Sequence, residues 1–521
     1  MRSVLDPPAM APLEVQAARL PDKLAVVDDR PDGTLTTWTF RQLDREANRL
    51  ANVLRDLGVK PNDRVVWCGP NSPGVVRAMH ARAKLGVVTV PLNYRLTPEE
   101  SAYIVDNSDA VVVYIDAEYA ATLATIRDRL PKVREIVVFG GAPPAGMLDG
   151  DALVAAASDD PPPAAASDFA TVLYTSGTTG RPKGAVRPHP DPVQTRAMLE
   201  YIGYVPQDVY ITTGPVYHSG PGGFLGIAHL LANTAVLQRR FDPEDWLRLV
   251  ERYRVTTTFS APTPMRLVCN LPAEVKARYD RSSMRRMIAN AAPWSFALKE
   301  AYMADFGEDS LWEVYGSTEL GVDTILPPED QRRKPGSCGR PAPTVDVRLF
   351  DAEGREITEP GVPGEVYVRS AASFATYYKA DDRADEARRG DFLTVGDVAY
   401  RDEEGFLYIC DRKSDMIISG GMNVYPAEIE AALERHPGVL EAAVFGIPDE
   451  EWGERVHAVI VARPGHALST GELTAFAREH LAGYKVPRSI DFIAELPHTG
   501  SGKILKRELR EPYWQGRRTR V

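Results

Sequence analysis

The stretch "FATVLYTSGTTGRPKG" (169–184) joins two unlike textures. Its first six residues are β-branched and aromatic, the pattern of a short buried strand. The next ten, "TSGTTGRPKG" (175–184), hold three glycines, four hydroxyl side chains and one lysine, with no apolar side chain. A surface turn needs only two or three such residues. Gly177, Gly180 and Gly184 let the backbone curl so that successive N–H groups converge on an anion. Thr175, Ser176, Thr178 and Thr179 add hydroxyls, and Lys183 adds a charge. That inventory suits a polyphosphate. The pattern GxxxxGK[ST] cannot be aligned to it, so the loop is of another kind.

Outward from this loop the chain alternates. "LAVVDD" (24–29) reads as a strand, and "TFRQLDREANRLANVLRDLGV" (39–59) as a helix with Leu43, Ala47, Leu50, Ala51, Leu54 and Leu57 on one face. Thr39 and Gln42 form a capping box, and Gly58 marks a stop. "RVVWCG" (64–69) is a strand, Ser72 and Pro73 open a helix that ends near Gly86, and "VVTVPL" (87–92) is the next strand. Thr97, Pro98 and Glu100 begin another helix. Such alternation implies a parallel sheet covered by helices, an α/β class. "AAASDDPPPAAASD" (155–168) reads as a low-complexity linker. Strand and helix signals recur from 200 to 320 ("DVYITTG", "TAVLQRR", "TTTFSA", "LWEVYG"). Short alternating strands between 335 and 410 suggest a small antiparallel unit, and the segment after 411 an α+β domain of about a hundred residues.

Bulk properties bound the function. A chain of 521 residues exceeds one ordinary core. The formal charge of -11, with no sustained basic stripe, argues against nucleic acid or an anionic membrane as the main partner. The basic ending "GRRTR" (516–520) reads as a solvated tail. Cys68, Cys269, Cys338 and Cys410 lie far apart with no CxxC pair, which points away from a disulfide framework or zinc site and toward a reducing cytoplasm. The N-terminus has no apolar signal core, and the longest apolar runs are strand-length. A homodimer is compatible with the chain.

Four further stretches read as chemistry. In "YGSTE" (315–319) a glycine-pinched turn places Glu319 at a sheet mouth, where a carboxylate binds Mg²⁺ that substrate phosphates also hold. In "VGDVAYRDEEGFLYICDRKSD" (395–415) Asp397 follows a glycine at a strand end, where it can accept both hydroxyls of a ribose, and Arg412 is a phosphate or ribose donor. In "PHTGSGKILKREL" (497–509) Lys503 stands between a small-residue turn and a short basic helix. In "PVYHSGPGGF" (215–224) the glycines after His218 leave room for a bound molecule.

Together these motifs resemble the adenylate-forming superfamily of acyl-CoA synthetases, peptide-synthetase adenylation domains and beetle luciferases, from about residue 17 to 510. "TSGTTGRPKG" is similar to that family's phosphate loop almost letter for letter, and "YGSTE", Gly396–Asp397, "DRKSDMIISGG" and "TGSGKILKREL" follow in the family's order. The resemblance implies an adenylation domain over 1–411, with parallel sheets and the antiparallel unit, and a small mobile domain over 412–521. It implies attack of a carboxylate on the α-phosphate of Mg-ATP, then displacement of AMP by the thiol of coenzyme A. Lys503 is the implied cation between carboxylate and phosphate, and Thr318 touches the α-phosphate. Adenine falls to Ala291, Ala292 and Pro293 with Glu313, Val314, Tyr315 and Gly316; ribose to Asp397; ribose or phosphate to Arg412. His218 matches the end of the acyl pocket, with Tyr217, Gly222, Gly223 and Asn290 around it. Glycines at 220, 222 and 223 favour a roomy site for a fatty or aromatic monocarboxylate. Trp452, Tyr484 and Arg488 match positions that contact the coenzyme A nucleotide, and Gly420–Gly421 the thiol tunnel. The implied hinge is Ser414, where the family usually has Asp or Lys; Met422 and Asn290 also depart from common residues. Two readings compete with a CoA ligase. One is adenylation with transfer to a carrier protein or other acceptor. The other is a catalytically silent nucleotide-binding protein, against which Lys503, Glu319 and Asp397 argue.

Overall fold

A computed structural model describes residues 5, 10–175, 182–380, 387–413, 415–419, 422–498 and 504–515. Ser176, Gly177, Thr178, Thr179, Gly180, Ser414, Gly420, Gly421 and Lys503 therefore lie outside the described residues. Two large sheets form the centre of the N-terminal part, of eight and nine strands among the described residues.

The eight-stranded sheet is built by the alternation around the phosphate-loop strand. Arg64–Cys68, Val88–Leu92, Ala110–Asp116, Glu135–Phe139 and Thr171–Thr175 run parallel. Their helices start where the caps direct. Thr39 and Gln42 close a reciprocal box on Phe40–Asp56, Thr97 and Glu100 do so on Pro98–Asn107, and Ser72 caps Pro73–Leu85. Gly86 ends the last of these at φ 64°. Two expectations change. Leu24–Asp29 does not join this sheet; it pairs in parallel with Thr234–Leu237 in the nine-stranded one, since strand type is local but strand partner is not. The stretch 155–168 begins inside the helix Gly150–Ala156 and continues as a pinned strap. Asn48 Nδ2 donates to Asp159 O at 3.0 Å, and Asn52 Nδ2 to Ser158 O at 2.9 Å and Asp160 O at 3.0 Å.

The nine-stranded sheet takes Val209–Thr212, Thr257–Ser260, Arg286–Ala289 and Leu311–Ser317 in parallel, and Gly321–Leu326 turns back antiparallel to the last. The small antiparallel unit includes Asp346–Phe350, Gly364–Arg369, Asp397–Arg401 and Leu407–Arg412. The C-terminal unit lays Ile417–Ser419, Val439–Asp449, Gly453–Ala462 and Ser489–Phe492 in a sheet against the helices Pro426–Leu433 and Thr470–His480. Its core of Ile417, Ile429, Leu433, Val444, Ile460 and Leu473 is buried.

Candidate active site

Strands of both large sheets line one cavity of about 1050 Å³, with Trp67, Pro91 and Leu173 from one and Phe259, Val314 and Gly316 from the other. The strand Thr171–Thr175 leads to it from one side. Lys183–Arg187 returns antiparallel with Lys183 opposite Thr175, so the phosphate loop closes a hairpin. Gly184 consequently does not serve the curl expected of it. It sits inside the return strand, where a Cβ would lie 2.7 Å from Val172 Cγ1. Lys183 Nζ stands 5.2 Å from the centre of the Tyr377 ring.

From the other sheet comes "YGSTE". Leu311–Ser317 and Gly321–Leu326 cross so closely at Gly316 that a Cβ there would meet Gly321 O at 1.8 Å; no residue but glycine fits. That crossing carries Thr318 to the cavity wall, its Oγ1 3.0 Å from Ser219 Oγ. It also brings Glu319 to the phosphate strand. Thr175 Oγ1 donates to Glu319 Oε1 at 3.4 Å, and Tyr377 Oη to the same oxygen at 3.2 Å. Arg187 Nη1 donates to Glu319 O at 3.0 Å. Tyr377 and Arg187 were invisible to motif reasoning, because neither lies in a glycine-rich or acidic signature.

Asp397 Oδ2 accepts from Tyr315 Oη at 2.6 Å, and Arg412 Nε lies 3.3 Å from Asp397 Oδ1, the two residues facing each other across their strands. Burial, then the Asp397 charge, push the Tyr315 phenol well above its ordinary range, so it stays a donor. An ionised carboxylate has capacity for about four hydrogen bonds, so Asp397 keeps room for a diol.

Of the adenine and acid candidates, Asn290, Ala291, Val314, Gly316, His218, Gly222 and Gly223 line the cavity, whereas Ala292, Pro293, Glu313, Tyr315 and Tyr217 are absent from its wall. The Glu313 carboxylate is bound by Lys299 Nζ, whose side chain is buried. Tyr217 is packed on Tyr94 and His218, with ring centres 5.4 and 4.3 Å away. Asn290 spends its amide on backbone: Nδ2 donates to Val314 O at 2.5 Å and Oδ1 accepts from Ala291 N, which steadies Ala291 at φ 73°. The glycines do less widening than expected. A Cβ on Gly220 would meet Phe259 at 2.3 Å and one on Gly222 Val216 O at 2.4 Å; only the Gly223 position faces open space. Space comes instead from a wall of Trp67, Met79, Met198, Phe224 and Ile227.

The C-terminal unit closes the cavity with Glu495, Leu496, Pro497 and His498. Arg488 lies 4.4 Å over the Trp452 ring, and Tyr484 is exposed. Among the described residues, no cluster of three or more metal-ligating side chains forms, and no helix is long and apolar enough to cross a membrane.

Residues 13–378 match the AMP-binding enzyme family, and residues 428–503 its C-terminal domain. A feruloyl-CoA synthase of Amycolatopsis sp is 37% identical over 92% of this chain and 94% of its own. The fatty acid–[acyl-carrier-protein] ligase ScoC of Streptomyces coeruleorubidus is 35% identical over 92% of each. Among solved structures, the anthranilate CoA ligase AuaEII in complex with anthranoyl-AMP is 28% identical, with a TM-score of 0.87 over 98% of this chain and 99% of that one. With Thr318 on the cavity wall, Glu319 bound to Thr175 at the root of the hairpin, and both family models matched along the chain, the protein is a member of the AMP-binding enzymes, the adenylate-forming ligases.

Proposed function

We propose that the protein is an ATP-dependent carboxylic acid–CoA ligase that acts through an acyl-adenylate and releases AMP and pyrophosphate. The observation that carries this reading is the meeting of Thr318 and residues 495–498 of the C-terminal unit on one cavity wall, while Glu319, next to Thr318, is bound to Thr175 at the root of the phosphate loop. The cavity is large enough for an aromatic or medium-chain acid, and the names of the feruloyl and anthranilate relatives support that class.

The residues take roles accordingly. The loop 175–184 binds the phosphates, Asp397 and Arg412 the ribose, and Ala291, Val314 and Gly316 the adenine face. Thr318 orients the α-phosphate, and His218 bounds the acid. Lys503 bridges carboxylate and phosphate, two anions that otherwise repel, so its contribution is greatest in the transition state. Glu319 suits Mg²⁺: its carboxylate accepts from two neutral hydroxyls, and no salt bridge among the described residues consumes it. Bound there, the ion would take its remaining ligands from phosphates and water and neutralise charge on the leaving pyrophosphate. Trp452, Tyr484 and Arg488 form a stacking and cationic face for the coenzyme A nucleotide. The domain boundary falls at 411/412 with the hinge at Ser414, and the protein acts in the cytoplasm.

Acid-dependent exchange of labelled pyrophosphate into ATP tests the first step. Lys503→Ala lowers it by roughly a hundredfold, the scale of one lost preorganised donor; near-normal exchange by that variant overturns the assignment. A CoA thioester as the product of acid, ATP and CoA fixes the acceptor. The similarity to ScoC makes a carrier protein the second acceptor to assay.

A further inference from the structure

One half-buried cation on the cavity wall has no role in the reaction just described. Arg82 lies in the last turn of the helix Pro73–Leu85 and lines the cavity beside Met79, Thr89, Ala170 and Thr171. Its Nη1 donates to Ala170 O at 3.0 Å. That is the one hydrogen bond its guanidinium makes among the described residues, and none of their carboxylates pairs with it. Two other arginines of the same wall are held by carboxylates, while Arg95 lies 5.6 Å over the Tyr94 ring and Arg187, like Arg82, donates to a backbone carbonyl. Arg239 meets Asp116 at 3.0 Å and Glu118 at 3.0 Å, and Arg240 meets Glu118; Arg187 has the charges of Glu319 and Asp323 near it, and Arg82 has no such acid. Burial alone lowers the affinity of Arg82 for its proton, with no neighbouring acid opposing the effect.

A guanidinium carries five N–H donors and stays charged. Taking even part of that charge out of water with a single acceptor is costly. The neighbouring side chains do not offset this: Trp67, Met79, Met198 and Ile227 are apolar, and the hydroxyls of Thr89 and Thr171 are directed at backbone oxygens. The group that can offset it is one that enters the cavity.

Position adds direction. Ala170 and Thr171 stand where the strand Thr171–Thr175 begins, and Thr175 at its far end meets Glu319. Four residue steps of strand span about 13 Å. Arg82 thus marks the end of the cavity remote from the phosphate loop.

We propose that Arg82 is a specificity-determining residue that receives an acceptor oxygen at the distal end of the acid substrate. The preferred substrates are then carboxylic acids with a second oxygen function, such as a phenol, ketone or carboxylate, remote from the carboxyl that is activated. This rests on the acid-activating reading above and deepens it.

Two matched pairs of acids test it: cinnamate against 4-hydroxycinnamate, and octanoate against octanedioate, each assayed by pyrophosphate release. In the wild-type protein, kcat/KM for the oxygen-bearing member exceeds that of its partner at least tenfold in one pair or both. Arg82→Met brings that ratio to about one, and Arg82→Lys, which keeps the charge but fewer donors, leaves an intermediate ratio. The same acids raise the melting temperature of the wild type more than their plain partners do, a readout independent of turnover. Should Arg82→Met fail to fold for want of its bond to Ala170, the lysine variant and the wild-type melting shifts carry the test. Turnover with no preference for the oxygenated acids, or a preference that survives both substitutions, overturns the role of Arg82 and leaves acid activation standing. Silence with every acid and ATP overturns acid activation itself.

Discussion

At the scale of single residues, Glu319 is fixed by one partner from the phosphate loop and two that no motif announces. Tyr377 and Thr175 hold its carboxylate and Arg187 its carbonyl. Removing one hydroxyl donor from a carboxylate costs about 1.5 kcal/mol, so Tyr377→Phe raises the KM for Mg-ATP by about tenfold while the fold is kept, as titration of initial rates against Mg-ATP will measure. Gly316 is the stricter case. With Gly321 O at 1.8 Å from any added Cβ, Gly316→Ala must part the two strands that position Thr318 and Glu319. The variant loses the melting shift that ATP confers on the wild type. The string "YGSTE" was legible as a turn with a carboxylate. Why its second residue must be glycine was not, because the reason is the backbone of a later strand. The same holds for Asn290 and Glu313, expected beside the acid and the adenine, whose polar atoms are engaged by Val314, Ala291 and Lys299.

At the scale of elements, local signals set helix and strand well, and partners poorly. Caps at Thr39, Ser72 and Thr97 begin their helices where the sequence placed them. Nothing in the chain told that the helix Pro73–Leu85 would be tied to Ser219–Leu230 by a histidine pair, His229 buried and His80 half-buried. His80 Nε2 lies 2.8 Å from His229 Nδ1, and His229 Nε2 3.1 Å from Ala25 O. Because a carbonyl can only accept, His229 carries its proton on Nε2 and His80 donates to Nδ1. Burial lowers His229 to about 4 and His80 well below its ordinary value, with His229, Arg82 and Lys84 adding to the effect on His80. Both groups bind a proton more readily when unfolded, near about 6.5. Their contribution to stability is therefore complete above that value and lost as the pH falls toward 4. The melting temperature of the wild type declines over this window. In His80→Gln, which keeps a donor for His229 Nδ1, the decline is shallower. An unchanged slope would place the acid sensitivity elsewhere.

At the scale of the whole molecule, the two units meet through a small set of charges that no sequence pattern connects. Arg266, on the helix Pro262–Cys269, donates to Glu441 Oε1 of the strand Val439–Asp449 at 2.5 Å. His498 Nε2 lies 3.4 Å from the same oxygen, and the pairing with Glu441 raises its affinity for a proton. His498 is also part of the segment that closes the cavity, five positions before Lys503. An arginine of the large unit thus holds, through one carboxylate, the segment that leads to the residue assigned to the first half-reaction. A pair of this kind is partly desolvated, so removing one member leaves the other uncompensated. Arg266→Ala is expected to lower acid-dependent ATP–pyrophosphate exchange about tenfold, equivalent to about 1.4 kcal/mol. Thioester formation from supplied acyl-adenylate should fall far less, since the lysine is not needed there. Raising the pH has a weaker effect of the same sign. The His498 pair is complete below the histidine's unfolded value and is lost as the pH rises through its elevated folded value. Equal losses in both half-reactions would show that Arg266 supports the fold at large and has no particular hold on the closing segment.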